Sequence, residues 1–133
     1  MPYLAAYAAI ALVFGLLDAV WLTVMGKLVY RPTLGDILLE QLRIAPAIFF
    51  YLAFPAGVLI FGTLTGIRSG GVWTAVLFGA LFGAFAYATY DLTNFATLRN
   101  WTLQITLLDI VYGALLCGIA AAAGYVAYRV AGG

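Results

Sequence analysis

The chain predicts an all-α polytopic membrane protein: four transmembrane helices, with a short amphipathic helix in the first loop. Three observations carry this. Of 133 residues, 66% are hydrophobic and 8% are charged, whereas a soluble domain has about 25% charged residues. Mean hydropathy is +1.10. Apolar stretches close to the roughly 20 residues that cross a bilayer occur four times, over residues 3–25, 44–66, 72–91 and 103–128. With six basic and five acidic side chains for its whole surface, most of that surface must meet lipid. A soluble enzyme, a disordered linker and a nucleic-acid binder using a basic face are excluded. Residues 1–133 read as one transmembrane domain.

The first span resembles a cleaved leader in position only. Met1-Pro2-Tyr3 offers no basic start, and Asp18 and Trp21 stand where a cleavage site needs small residues, so the span is expected to stay attached. In the first loop, Pro32-Thr33 followed by Asp36 reads as a helix start with a capping acid. Leu34, Ile37, Leu38 and Leu42 then share one face at helical spacing. Asp36, Glu40 and Gln41 make the other face too acidic for a helix lying on anionic lipid. Pro55 falls deep in the second span, where it should bend the helix and leave the Tyr51 carbonyl in need of a partner.

Small residues mark where helices can touch. Gly62 and Gly66 end the second span with one four-residue step, and Gly79 and Gly83 make another in the third. Such steps let backbones approach closely in lipid, and packing within one bundle is the default reading. Continuing from Gly83 in fours reaches Tyr87 and then Asp91. The close-packing face of the third span therefore also presents an acid. In the fourth span, Cys117 is the sole cysteine and sits in an apolar run, so it reads as a small core residue.

Four crossings put both termini on one side and the first and third loops on the other. Lys27, Arg31, Arg43 and Arg99 fall on the loop side, against Arg68 and Arg129 on the terminal side. The positive-inside bias then places those loops in the cytoplasm and the termini outside.

Three acids lie in the spans. A carboxylate inside the bilayer costs about 2.5 to 3.5 kcal/mol on insertion scales, so Asp18, Asp91 and Asp109 should face the bundle interior. At about 1.5 Å per residue, Asp18 lies roughly 13 Å inward from Lys27, Asp109 roughly 12 Å inward from Trp101, and Asp91 near the mouth. All three converge on the half of the membrane next to the first and third loops. Tyr87 and Asn94 flank Asp91, Tyr112 follows Asp109 and Trp21 follows Asp18, each one helical turn away. Thr93, Asn94 and Arg99 complete a polar funnel. This set suits a cation, a polar lipid headgroup or a proton, because two nearby carboxylates in low dielectric cannot both ionise cheaply. The structural alternative has Arg99 neutralising Asp91, while the deeper acids only bond across helices.

A short echo links Leu16-Leu17-Asp18-Ala19-Val20-Trp21 with Leu107-Leu108-Asp109-Ile110-Val111-Tyr112. The two spans run in opposite directions, so the echo is no ordinary parallel repeat and reads as coincidence. No histidine is present, which removes the commonest ligand of haem and transition metals. No phosphate-binding glycine loop and no nucleophile elbow is visible. Neither a metal, a cofactor nor a catalytic residue is implied.

The string Asp91-Leu-Thr-Asn94-Phe-Ala-Thr97-Leu, with Leu17-Asp18-Ala-Val-Trp21-Leu-Thr and Leu108-Asp109, resembles domain-of-unknown-function family 2177, small predicted bacterial membrane proteins. The resemblance covers essentially the whole chain. It implies a bacterial inner-membrane protein of about four spans and names no substrate. Size and plan are also similar to the small multidrug transporters, where Asp18 would match the acid of the first helix by analogy alone.

The expectation is a four-helix bundle whose polar site, Asp18, Trp21, Tyr87, Asp91, Thr93, Asn94, Arg99, Asp109 and Tyr112, binds or moves a small polar ligand, lipid headgroup or proton. Membrane lipid would be its partner. The competing reading is an accessory or assembly subunit of a larger membrane complex, or a homo-oligomer, held through glycine-lined faces. A lipid-modifying enzyme using an aspartate as general base is a third.

Overall fold

A computed structural model describes residues 1–39, 41 and 43–133. Four helices are long and apolar enough to span a membrane: α1 (Pro2–Leu34), α2 (Ile44–Arg68), α3 (Val72–Thr97) and α4 (Leu103–Val130). Pro2 sits in the first turn of α1, where its missing N–H costs nothing. α3 starts from Gly70 and Gly71, with φ of +94° and +79°, a left-handed backbone that glycine adopts without strain. The Thr102 hydroxyl accepts from the Ile105 N–H at 3.1 Å, capping the start of α4.

α1 exceeds its expected length. Its 33 residues extend about 50 Å at helical rise, longer than the roughly 30 Å hydrocarbon layer needs. A π-helical stretch, Gly26–Tyr30, interrupts it before Arg31–Leu34. The short helix of the first loop is thus this Arg31–Leu34 turn, continuous with α1. Residues 35–38 form turn and bend, and Asp36 bonds with Asn100 of the third loop instead of capping a helix. Two positions expected in that loop helix, Glu40 and Leu42, lie outside the described residues. α3 also runs six residues past Asp91 to Thr97, which puts Thr93 and Asn94 on the helix.

The bundle is apolar outside, and inside it packs Ile10, Phe14, Val58 and Leu116 with small residues and a few polar ones. Leu12, Leu16 and Val20 of α1 and Leu107, Val111 and Leu115 of α4 point outward. α4 is the central helix: 44% of its most apolar window is buried, against 11–17% in the other three. It packs most extensively along α3, then α1. The α3–α4 contact is a ladder in steps of four. A methyl group built on Gly79 would stand 2.6 Å from both the Ala121 Cβ and the Cys117 carbonyl oxygen. One on Gly83 would stand 2.8 Å from the Cys117 Sγ, and Tyr87 lies directly on Gly113. The next rung brings Asp91 beside Asp109.

α2 joins this ladder in its second half only. Gly62 approaches Gly79 and Ala121, where an added methyl would be 2.9 and 3.0 Å away, and the Thr63 hydroxyl donates to the Ala121 carbonyl at 2.8 Å. Both glycine steps of the second and third spans are therefore used inside the chain. The crossing falls within a second π stretch, Leu59–Thr63, and Pro55 lies inside the α-helical part of α2 that precedes it. The Tyr7 hydroxyl of α1 donates to the Leu52 oxygen at 2.7 Å, next to the Tyr51 carbonyl that Pro55 deprives of its helical donor. The Ile44–Val58 part of α2 leans on α1 and barely touches α3 and α4, leaving space among the four helices at the loop end.

Candidate functional site

That space is a cavity of about 790 Å³. Its walls come from the loop-side half of every helix, and its rim from Ile37 and Leu38 of the first loop and Leu98 and Trp101 of the third. The two loops are tied together over it by the Asn100–Asp36 hydrogen bond and by packing of Trp101 with Leu34.

Two carboxyls face the cavity, each held by tyrosine. Asp18 of α1 accepts from Tyr112 of α4 at 2.7 Å through Oδ1 and from Tyr51 of α2 through Oδ2. Asp109 of α4 accepts from Tyr30 of α1 at 2.7 Å, and Tyr30 in turn accepts from the Trp21 indole N–H at 3.1 Å. Hydroxyls that donate to carboxylates make charge-assisted bonds, roughly twice as strong as neutral ones, which suits acids removed from water. Aromatic faces complete the wall. Trp21 stacks on Tyr112 with centroids 4.0 Å apart and planes at 9°, while Tyr87 meets Tyr112 edge-on at 6.1 Å.

Behind Asp109 sits Asp91 on α3. It is fully buried, 0% exposed, with its carboxyl against that of Asp109 and no other side-chain partner among the described residues. The indole N–H of Trp101 is buried without a partner among the described residues. Leaving a buried polar group unsatisfied costs about 1 to 3 kcal/mol, a cost that falls on the Trp101 indole.

Of the residues expected at the site, the structure brings Asp18, Trp21, Tyr87, Asn94, Asp109 and Tyr112 to the cavity wall, with Asp91 in contact behind. Thr93 and Arg99 are placed apart. Thr93 is exposed, and its hydroxyl bonds back to the Thr89 and Tyr90 carbonyls of its own helix at 2.5 and 3.0 Å. Arg99 is exposed in the turn after α3 and does not reach the wall. The basic side chain that does is Arg31, one residue beyond the π stretch of α1.

Tyr30, Arg31, Tyr51 and Trp101 are the site residues that sequence reasoning missed. An unbroken helix turns about 100° per residue and would put Tyr30 nearly opposite Trp21. The wider π turn, which bonds i to i+5, brings it round. Tyr51 did carry a readable signal: a hydroxyl deep in an apolar span needs a partner.

Fold and cavity together define a small polytopic helical membrane protein with a pocket of acids and tyrosines in one half of its bundle. The chain belongs to the family described as Predicted membrane protein (DUF2177), whose model matches residues 3–126. The expectation drawn from the Asp-x-Thr-Asn string of α3 is thereby met. Compared with curated proteins and with solved structures, the chain matches none.

Proposed function

We propose that this protein is a membrane-embedded binding protein that takes a small amphiphilic ligand, a free molecule or a lipid headgroup, into the cavity beneath its first and third loops. One observation carries the reading: carboxyls from two helices, Asp18 and Asp109, face a space of about 790 Å³, within the 300–1,000 Å³ common for ligand sites, with Asp91 buried behind Asp109. Bonds across helices alone would need no such space. Asp18 and Asp109 are the polar floor, Trp21, Tyr87 and Tyr112 the walls, and Asn94 and Arg31 the approach.

The distribution of Lys27, Arg31, Arg43 and Arg99 supports an inner membrane location with the cavity opening toward the cytoplasm. The accessory-subunit reading has less to stand on, because Gly62, Gly79 and Gly83 are occupied by contacts within the chain.

The test is native mass spectrometry of the protein taken from its own membrane in mild detergent. A retained small molecule or lipid, lost from folded Asp18→Asn and Asp109→Asn variants, is the expected result. Variants that retain everything the parent retains, with an unchanged cellular phenotype, would overturn it.

A further inference from the structure

Resting on that reading, we propose that the ligand is an organic cation, an ammonium-type charge carried by a free amine or by a lipid headgroup. The charge balance of the cavity points there. Asp18 and Asp109 face it and Asp91 adjoins Asp109, yet among the described residues the only basic side chain in the wall is Arg31. Arg31 is thirteen residues beyond Asp18 on α1, roughly 20 Å along the helix, too far to neutralise it. The carboxyls are served by phenols, which donate hydrogen bonds but supply no positive charge. Buried charge is tolerated when it is paired, and the partner that the carboxyls at the wall lack is positive.

The shape of the site selects the kind of cation. Among the described residues no three acidic, cysteine or histidine side chains stand close enough to hold a metal ion. The acids are spread around a space that an inorganic ion would leave largely empty. The aromatic walls favour a diffuse positive charge, because ring faces attract cations, most strongly when both are removed from water. A bulky organic cation satisfies the spacing of the acids, the volume and the rings together.

Two ions of nearly equal size and opposite charge make the test: tetraphenylphosphonium and tetraphenylborate, binding to the protein in phosphatidylcholine nanodiscs, with empty discs subtracted. The expected result is saturable phosphonium binding, one per chain and at least ten times tighter than the borate. Asp18→Asn and Asp109→Asn, checked for unchanged helicity and elution, should each weaken it tenfold or more. If a variant fails to fold, the parent's own preference decides: equal affinity for the two ions overturns the charge assignment and leaves a binding site that is blind to charge. No saturable binding of either ion also overturns it. The binding reading then falls as well only if native mass spectrometry finds nothing retained. Adding phosphatidylethanolamine to the discs separates the sources. Competition with the phosphonium supports a headgroup ammonium, and unchanged binding alongside it supports a free amine.

Discussion

Trp21 and Tyr112 stack face to face, 4.0 Å apart, and each is the third residue after an aspartate of its own helix. The pairing is reciprocal. Tyr112 donates to Asp18 on the other helix directly, and Trp21 reaches Asp109 on the other helix through the Tyr30 hydroxyl. The echo between Leu16–Trp21 and Leu107–Tyr112, read in the sequence as coincidence, therefore occupies matching places in the structure. Two antiparallel helices carrying Asp and an aromatic one turn later can each present the ring to the other's acid.

Removing the phenol hydroxyl tests this arrangement. Tyr112→Phe keeps the stack but deprives Asp18 of one of two donors, and losing a hydrogen bond to a charged group costs about 1.5 to 3 kcal/mol. Trp21→Phe removes a donor to a neutral hydroxyl, for about 0.5 to 1.5 kcal/mol. Unfolding in mild detergent should rank the two in that order, and equal losses would contradict the assignment of donors.

The α3–α4 ladder makes a contrasting prediction for two glycines. Gly79→Ala forces a methyl to 2.6 Å from the α4 backbone, and overpacking of this kind costs about 1 to 3 kcal/mol. At Gly15 of α1 an added methyl meets nothing within 4 Å, so Gly15→Ala should gain roughly 0.5 to 1 kcal/mol through helix propensity. Thermal unfolding of the two variants should shift in opposite directions.

Arg31 and Arg99 should differ in the binding assays. Arg31→Ala changes the cavity wall and should alter what the protein retains. Arg99→Ala, off the wall, should leave retention unchanged. A larger effect at Arg99 would restore it as the counter-charge expected from the sequence.

Orientation can be read by thiol labelling. Cys117 is buried and should stay unlabelled in the folded protein, so a single added cysteine reports alone. A membrane-impermeant maleimide applied to intact cells should label Gly132→Cys and spare Arg99→Cys. The reverse pattern would invert the topology proposed from the basic residues.

The four helices and the convergence of three acids on one half of the bundle were legible because both follow from counting. Apolar run length sets the span, and helical rise sets the depth of each acid. The line Gly79, Gly83, Tyr87, Asp91 was visible for the same reason, since α3 is regular throughout. What escaped were the consequences of irregular turns. The π stretch at Gly26–Tyr30 moves Tyr30 and Arg31 onto a face that even spacing assigns elsewhere, and nothing in Gly-Lys-Leu-Val-Tyr announces it. Arg99 reads as the counter-charge because it stands near Asp91 along the chain, but the turn after α3 leaves it exposed and off the wall.

The Thr63–Ala121 hydrogen bond and the Gly62–Gly79 approach close the bundle beyond the acids, so the proposed ligand would meet a blind end there. Travelling onward would mean unzipping three backbones that have only hydrogen atoms and methyls between them. If the cavity binds as proposed, it is a vestibule, and any passage through it must begin by breaking that seal.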